Sequence, residues 1–146
     1  MDLLLLGGTR FLGRHFAAAA LAAGHRVTVF HRGRTGADLH AGAERILGDR
    51  DGGLAALAGR RWDAVVDFCG YVPRVVGASA GALRDAAGHY TFVSSISAYA
   101  MPFAAGGGED EPLATLTDPA VEEVTGETYG GLKAACERAA REGFGP

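Results

Sequence analysis

A run of apolar residues, Leu3 to Leu6, stops at Gly7-Gly8 and gives way to an alanine-rich stretch that begins at Phe11. No other feature of the 146 residues constrains the fold as much as this junction. Asp2 to Leu6 reads as a buried strand, and the glycine pair as the tight turn that ends it. Phe11 to Ala23 reads as a helix closed by Gly24. A first strand that enters a first helix through Gly7-Gly8-Thr9-Arg10-Phe11-Leu12-Gly13 suits one kind of site. The glycines permit a sharp turn and a close approach of backbone to a pyrophosphate, and the free N–H groups of the helix start face that anion. The alternative is an ordinary glycine turn. The spacing is Gly-x-x-Arg-x-x-Gly, so Arg10 stands at the centre, where a guanidinium reaches a phosphate or stacks on a ring.

The rest of the chain alternates. Arg26 to Phe30 is β-branched and predicts a second strand, and His31 to Gly42 a loop. Arg45 to Leu47 predicts a brief third strand, and Asp51 to Ala58 a short helix closed by Gly59. Asp63 to Phe68 is apolar through its middle, as a strand covered on both faces should be. Pro73 opens a helix that runs to about Ala87 and stops at Gly88. His89 to Ser94 predicts a fifth strand. Ala100 to about Gly126 is a long loop with acidic groups and no base, and such a loop in a compact domain is usually functional or mobile. Thr128 to about Arg141 predicts the last helix, with Thr125 or Thr128 as its cap. The pattern predicts an α/β fold, a doubly wound parallel sheet of five strands.

Charge and cysteine usage narrow the function classes. Residues 1–100 carry eleven arginines against eight acids, and residues 101–146 three bases against nine acids. The first part attracts an anion, but no dense basic patch points to nucleic acid. Cys69 and Cys136 form neither a CxxC pair nor a Cys/His cluster, and the histidines lack metal-ligand spacing. A reducing cytoplasm is the expected compartment. Neither a signal peptide nor a membrane span is expected.

Two further features carry chemistry. Lys133 is the only lysine in a chain with thirteen arginines. It stands four residues after Tyr129, one helical turn along the same face. An ammonium there favours the tyrosinate, and moving a phenol from a pKa near 10 to near 7 takes roughly 4 kcal/mol. The alternative is a surface lysine. At the end of the second strand stands His31-Arg32-Gly33-Arg34, where an NAD-preferring dinucleotide fold commonly has an acid on the ribose 2′-hydroxyl. Arg32 can grip a 2′-phosphate instead. NADP is therefore favoured over NAD, the alternative being solvated loop charges.

Taken together, GGTRFLG at 7–13, Ser94-Ser95 and Tyr129-x-x-x-Lys133 resemble the short-chain dehydrogenase/reductase superfamily. More narrowly, they resemble its extended or atypical NAD(P)-dependent epimerase/dehydratase branch. The resemblance runs from Asp2 to Arg141 and implies a Rossmann-like NAD(P)-binding domain over 1–146. Gly7, Arg10 and Gly13 fall on the three glycine positions, with Thr9, Phe11 and Leu12 in the same cofactor-binding turn. Asp49 corresponds to the acid that reads the adenine amino group, with an exposed loop acid as the alternative. Cys69 takes a position near the cofactor ribose, with a buried core thiol as the alternative. Ser95, four residues before Tyr99, takes the place of the catalytic Ser/Thr, the alternative being a strand-end hydroxyl that caps backbone. Tyr129 and Lys133 match the catalytic pair.

The implied mechanism makes Tyr129 the acid/base on a hydroxyl or keto substrate such as a nucleotide-sugar. Ser95 bonds the same oxygen, and Lys133 lowers the tyrosine pKa and holds the nicotinamide ribose. The other readings are a non-catalytic dinucleotide-binding sensor, an RNA-associated relative, or a homodimer through helices 73–87 and 128–141. Family members continue into a further strand and a substrate lobe. The chain is therefore expected to be a truncated cofactor half with little turnover alone. Leu132, Ala135, Ala139 and the fifth-strand edge are expected to be under-covered.

Overall fold

The computed structural model describes residues 1–35, 41–102 and 105–145. The centre of the predicted His31 to Gly42 loop and two residues of the long Ala100 to Gly126 loop lie outside them. The strands are β1 (Asp2–Leu6), β2 (Arg26–His31), β3 (Glu44–Leu47), β4 (Ala64–Asp67) and β5 (Tyr90–Phe92). The helices are α1 (Phe11–Ala22), α2 (Pro73–Leu83) and α3 (Tyr129–Phe144). All strand pairs are parallel, in the order β3-β2-β1-β4-β5, so β1 is central and β5 is an edge.

The leucine run explains that placement. Successive strand residues point to opposite faces, so the unbroken run Leu3 to Leu6 supplies two cores at once. Leu3 and Leu5 pack with Ala17, Ala20, Val27 and Val29 on the α1 side. Leu4 and Leu6 pack with Phe30, Trp62, Val65 and Leu83 on the other. Leu4, Leu5 and Leu6 are wholly buried, each worth about 1.5–3 kcal/mol of transfer free energy.

Helices α2 and α3 pack closely through small residues. A Cβ at Gly143 would stand 2.9 Å from that of Ala80, and Gly77 faces Ala139. Val76, Cys136 and Ala140 close a third small core against Tyr90 and Phe92. Leu132 is wholly buried rather than under-covered, because the segment around Leu116 and the Ile96–Ala98 turn lie over the start of α3. Ala135 and Ala139 are half-buried.

Several boundaries differ from expectation, each for a local reason. The predicted 51–58 helix is only a 3-10 turn at Leu54–Leu57. There the Asp49 side chain accepts from Asp51 N–H and Gly53 N–H donates to the Asp49 carbonyl, a local turn that competes with helix. Helix α2 ends at Leu83, since the chain after it turns to bridge Trp62 with Ala87. Helix α3 continues past Arg141 to Phe144, whose ring packs on Tyr90 at 5.4 Å. Strand β2 includes His31, which therefore does not belong to the loop, whereas β5 is limited to Tyr90–Phe92. Neither threonine caps α3 through its side chain. The Thr128 hydroxyl donates to the Glu123 carbonyl, and the Thr125 oxygen accepts from Glu127 and Thr128 N–H, ordering the turn before the helix.

Candidate functional site

In a parallel sheet the chain leaves every strand at the same edge, and a crevice opens where strand order reverses, here between β1 and β4. A cleft of about 590 Å³ lies at that edge. Its floor is the turn after β1. Gly7 and Gly8 adopt φ of +75° and +77°, the left-handed region that glycine enters freely. Bare backbone is also needed for space, because a Cβ on Gly7 would stand 2.8 Å from the Cys69 sulfur. Gly13 sits directly against the backbone of Gly8, which seats α1 on the turn. The α1 N-cap, Arg10, makes no side-chain cap, and the first turn holds no acid. The leading N–H groups are therefore left for an outside acceptor. Phe11 holds φ at +24°, the only positive value outside glycine among the described residues. For a bulky residue that marks stored strain of the kind that clusters at ligand sites.

The cleft carries more cations than anions. Arg10, Arg32 and Arg34 all line it. The Thr9 and Thr35 hydroxyls are bonded at 2.6 Å, tying the turn after β1 to the loop after β2. Arg32 lies 4.0 Å from the Asp49 carboxylate, with both groups exposed. Such a pair is worth little and yields easily to a better partner. His31 sits beneath, nearly fully buried, and its Nδ1 accepts from Gly33 N–H at 3.1 Å. Burial, and then the nearby Arg45, push His31 below the usual histidine range. A neutral ring is what lets Nδ1 accept, so His31 shapes the turn that carries Arg32 and Arg34.

Of the residues singled out in the sequence, Gly7, Thr9, Arg10, Arg32, Asp49 and Cys69 line this one cleft. Phe11 and Leu12 are exposed beside it, and Gly13 is buried behind it. Ser95, Tyr129 and Lys133 do not line it; Tyr129 and Lys133 lie near the ring of Tyr71, which does.

Lys133 is not a surface lysine. It is 3% exposed, and its ammonium donates to the Gly70 carbonyl at 3.0 Å and the Val93 carbonyl at 2.8 Å. It also sits 4.0 Å from the Phe92 ring centroid. Burial pushes its pKa below the ordinary lysine value. An ammonium has three donors, so one remains after the two carbonyls. The Tyr129 ring lies 6.5 Å from that of Tyr71. The Ser95 hydroxyl oxygen accepts from Ser97 N–H at 3.2 Å. The neighbouring Ser94 hydroxyl is buried and has no hydrogen-bond partner among the described residues.

A buried network behind the cleft escaped the sequence reading. Asp67, wholly buried at the end of β4, receives two parallel bonds from Arg50 at 2.7 and 2.8 Å, and a third from the Tyr90 hydroxyl at 2.8 Å. Arg50 also donates to Ser79 at 3.2 Å. Burial first, and the Asp67 charge second, push the Cys69 thiol up, so it stands there as a thiol and not as a nucleophile. The available signal was a carboxylate closing a strand otherwise fit for complete burial, since such a charge needs a partner. Arg50 holds the stretch Asp49-Arg50-Asp51 by its middle residue. Asp49 is left at the cleft rim, and Asp51 is left to pair with Arg74.

Among the described residues no cluster of His, Cys, Asp and Glu could hold a metal, and no helix is long and apolar enough to cross a membrane. The cleft's donors, uncapped N–H groups and the guanidiniums of Arg10, Arg32 and Arg34 around a turn that begins with two glycines, fit a pyrophosphate-bearing ligand.

Comparison with solved structures agrees with that architecture. WbmG from Bordetella bronchiseptica, solved in complex with NAD, superposes with a TM-score of 0.78 at 22% identity, over 97% of this chain and 49% of that one. A UDP-galactose 4-epimerase gives 0.74 at 22%, over 94% and 50%. The UDP-N-acetylglucosamine 4-epimerase of Bacillus cereus gives 0.71 at 19%, over 97% and 52%. The likeness is one of fold. The chain spans about half the length of each of these structures. No family model matches the sequence, and no curated protein does.

Proposed function

We propose that the chain is the cofactor-binding part of an NAD(P)-dependent epimerase, dehydratase or reductase of the extended short-chain dehydrogenase/reductase kind. The observation that carries this reading is a single one. An uncapped helix start, a turn led by two glycines, and Arg10, Arg32 and Arg34 open on one cleft at the strand-reversal point, and Tyr129 and Lys133 both lie near Tyr71 in its lining. Structures that share the fold support it, since they include a UDP-galactose 4-epimerase, WbmG in complex with NAD and an NAD-dependent NDP-hexosamine 5,6-dehydratase.

In this reading the Gly7–Gly13 turn holds the pyrophosphate, and Asp49 reads the adenine. Arg32 holds a 2′-phosphate once released from Asp49, so NADP is preferred to NAD. The dinucleotide, when bound, exchanges hydride with a substrate carbon. Tyr129 moves the proton at the adjacent oxygen, which Ser95 steadies. The third N–H of Lys133 is available to a ribose hydroxyl. A positioned proton donor of this kind contributes about 10²–10⁴ in rate. The substrate is a hydroxyl or keto compound of the nucleotide-sugar type, and its processing belongs to the whole protein.

One observation favours a second reading, a dinucleotide-binding module without catalysis. Two of the three Lys133 donors are already used on backbone carbonyls, where they bolt α3 to the ends of β4 and β5.

Calorimetry with NADP⁺ and NAD⁺ tests the cofactor assignment. Both are expected to bind, NADP⁺ more tightly, and Arg32→Ala is expected to erase the difference. A folded chain that takes up neither dinucleotide would sink the proposal. With turnover measured on the whole protein, Tyr129→Phe separates the two readings. Lost turnover with retained binding supports catalysis, and unchanged behaviour supports the module.

A further inference from the structure

An ammonium taken out of water normally needs an acid beside it or gives up its proton. Lys133 is 3% exposed, and among the described residues no carboxylate forms an ion pair with it. Its nitrogen is met instead by the Gly70 carbonyl at 3.0 Å, the Val93 carbonyl at 2.8 Å and the Phe92 ring, whose centroid is 4.0 Å away. The Tyr71 ring is more distant, at 5.8 Å.

The sheet puts Phe92 in this place. Side chains alternate along β5, so Tyr90 and Phe92 share the face that packs on Val76, Cys136 and Ala140. Phe92 stands opposite Asp67, the last residue of β4, in the parallel register. The chain after β4 makes room for its ring at Gly70, where a Cβ would collide with it. The same bare residue gives its carbonyl to Lys133. Val93, which gives the other carbonyl, directly follows Phe92. Ring and carbonyls therefore close on one nitrogen from the ends of β4 and β5.

The face of an aromatic ring is negative, and a cation gains most from it when both are out of water. That attraction acts within about 6 Å of the centroid, so Phe92 is well inside the range and Tyr71 at its limit. It draws the charge as a whole and occupies none of the three N–H donors. Burial is the largest influence on the Lys133 proton and opposes it. Cys136 and Glu137 on α3 and Asp67 on β4 favour the proton, and Arg50 opposes it. We propose that Phe92 is a positioning residue of the Tyr129–Lys133 pair, with a ring that keeps the buried ammonium charged and in place for the tyrosine. This role rests on the acid/base reading above.

Lys133 is the only lysine, so labelling lysine with carbon-13 gives one Cε–Hε signal and reads this ammonium alone. NMR follows its titration in the wild type, Phe92→Leu, Phe92→Met, Phe92→Tyr and Tyr71→Leu, with amide spectra confirming the fold at each pH. Phe92→Leu and Phe92→Met are expected to lower the midpoint by about one pH unit, the tenfold change of a lost, desolvated ring contact. Phe92→Tyr keeps a ring and is expected to titrate as the wild type does, and Tyr71→Leu to move the midpoint less than half as far as Phe92→Leu. In the wild type the ring current of Phe92 is expected to set the Hε protons upfield of an ordinary lysine. Ordinary Hε shifts would overturn the proposal whether or not the variants fold. An unmoved midpoint in a folded Phe92→Leu or Phe92→Met overturns it, as does a Phe92→Tyr midpoint that drops as far as theirs, or a larger drop in Tyr71→Leu. In the whole protein, Phe92→Leu is expected to bring the alkaline limb of the turnover–pH profile down with the lysine midpoint, and a limb that stays in place removes the role. Failure of the acid/base reading shows separately, as unchanged turnover in Tyr129→Phe, and leaves the lysine titration as it is.

Discussion

At the scale of single residues, the interaction with most at stake is the buried ion pair of Arg50 and Asp67. Asp67 is wholly buried, and Arg50 satisfies it in two parallel bonds. Removing one partner of such a pair strands the other charge, which costs about 3–5 kcal/mol. Domain stability is only about 5–15 kcal/mol. Arg50→Met should therefore move the urea midpoint down sharply. The double variant Arg50→Met with Asp67→Leu should be more stable than Arg50→Met alone, because no charge is then left unpaired. An Arg50→Met protein as stable as the wild type would show that the pair does not hold the β4 end. Lys133 is a related case. Its position in the sequence suggested chemistry, but only the fold shows that it also anchors two carbonyls.

At the scale of elements, the pair Gly130-Gly131 ties local sequence to tertiary packing. Both lie inside α3, where glycine costs about 1 kcal/mol relative to alanine. Propensity alone therefore favours Gly130→Ala. Packing opposes it, since a Cβ at Gly130 would run into the Ser97 carbonyl oxygen, and one at Gly131 would stand 2.7 Å from Leu116. Overpacking of this kind costs about 1–3 kcal/mol, so Gly130→Ala should be net destabilising by about 1 kcal/mol and should disturb Tyr129. Gly77 in α2 is the control. A Cβ there meets Ala139 at an ordinary 3.7 Å, and Gly77→Ala should gain about 0.5–1 kcal/mol. Denaturation curves for the two variants decide the matter by sign, and a stabilising Gly130→Ala would refute the close approach.

At the scale of the molecule, stability should fall with acidity in two separate stages. His31 is held below its usual value of 6.5 by burial and then by Arg45, so between the two values the unfolded chain takes up a proton that the fold refuses. Its contribution is complete above pH 6.5 and is lost as pH falls through the depressed value. Asp51 and Glu122, both bonded to Arg74, are held below 3.8 and 4.5 by those bonds. Their contribution is present above those values and is lost further down. Urea midpoints between about pH 8 and 3 should show both stages, and His31→Gln, which can still accept from Gly33, should remove only the first. An unchanged profile in His31→Gln would assign the first stage elsewhere.

Much of this was legible in order along the chain, and the reason is physical. Strand, turn and helix at residues 2–23 follow from side-chain periodicity and from glycine's freedom at φ near +75°, both of which are local. Five parallel strands, the glycine turn after β1 and the arginine-bearing loop after β2 follow from the same kind of local chemistry. The 51–58 segment was misread because an aspartate side chain competed with the helix, and the ends of α2 and α3 because neighbours 20 or more residues away decided them. Asp67 with Arg50, Lys133 with Gly70 and Val93, and Tyr71 with Tyr129 join residues 17 to 63 positions apart. No periodicity encodes those distances. The turn at Gly7 to Gly13 was determined by the sequence itself, whereas what stands at the far end of the cleft was decided only when the sheet brought β4, β5 and α3 together.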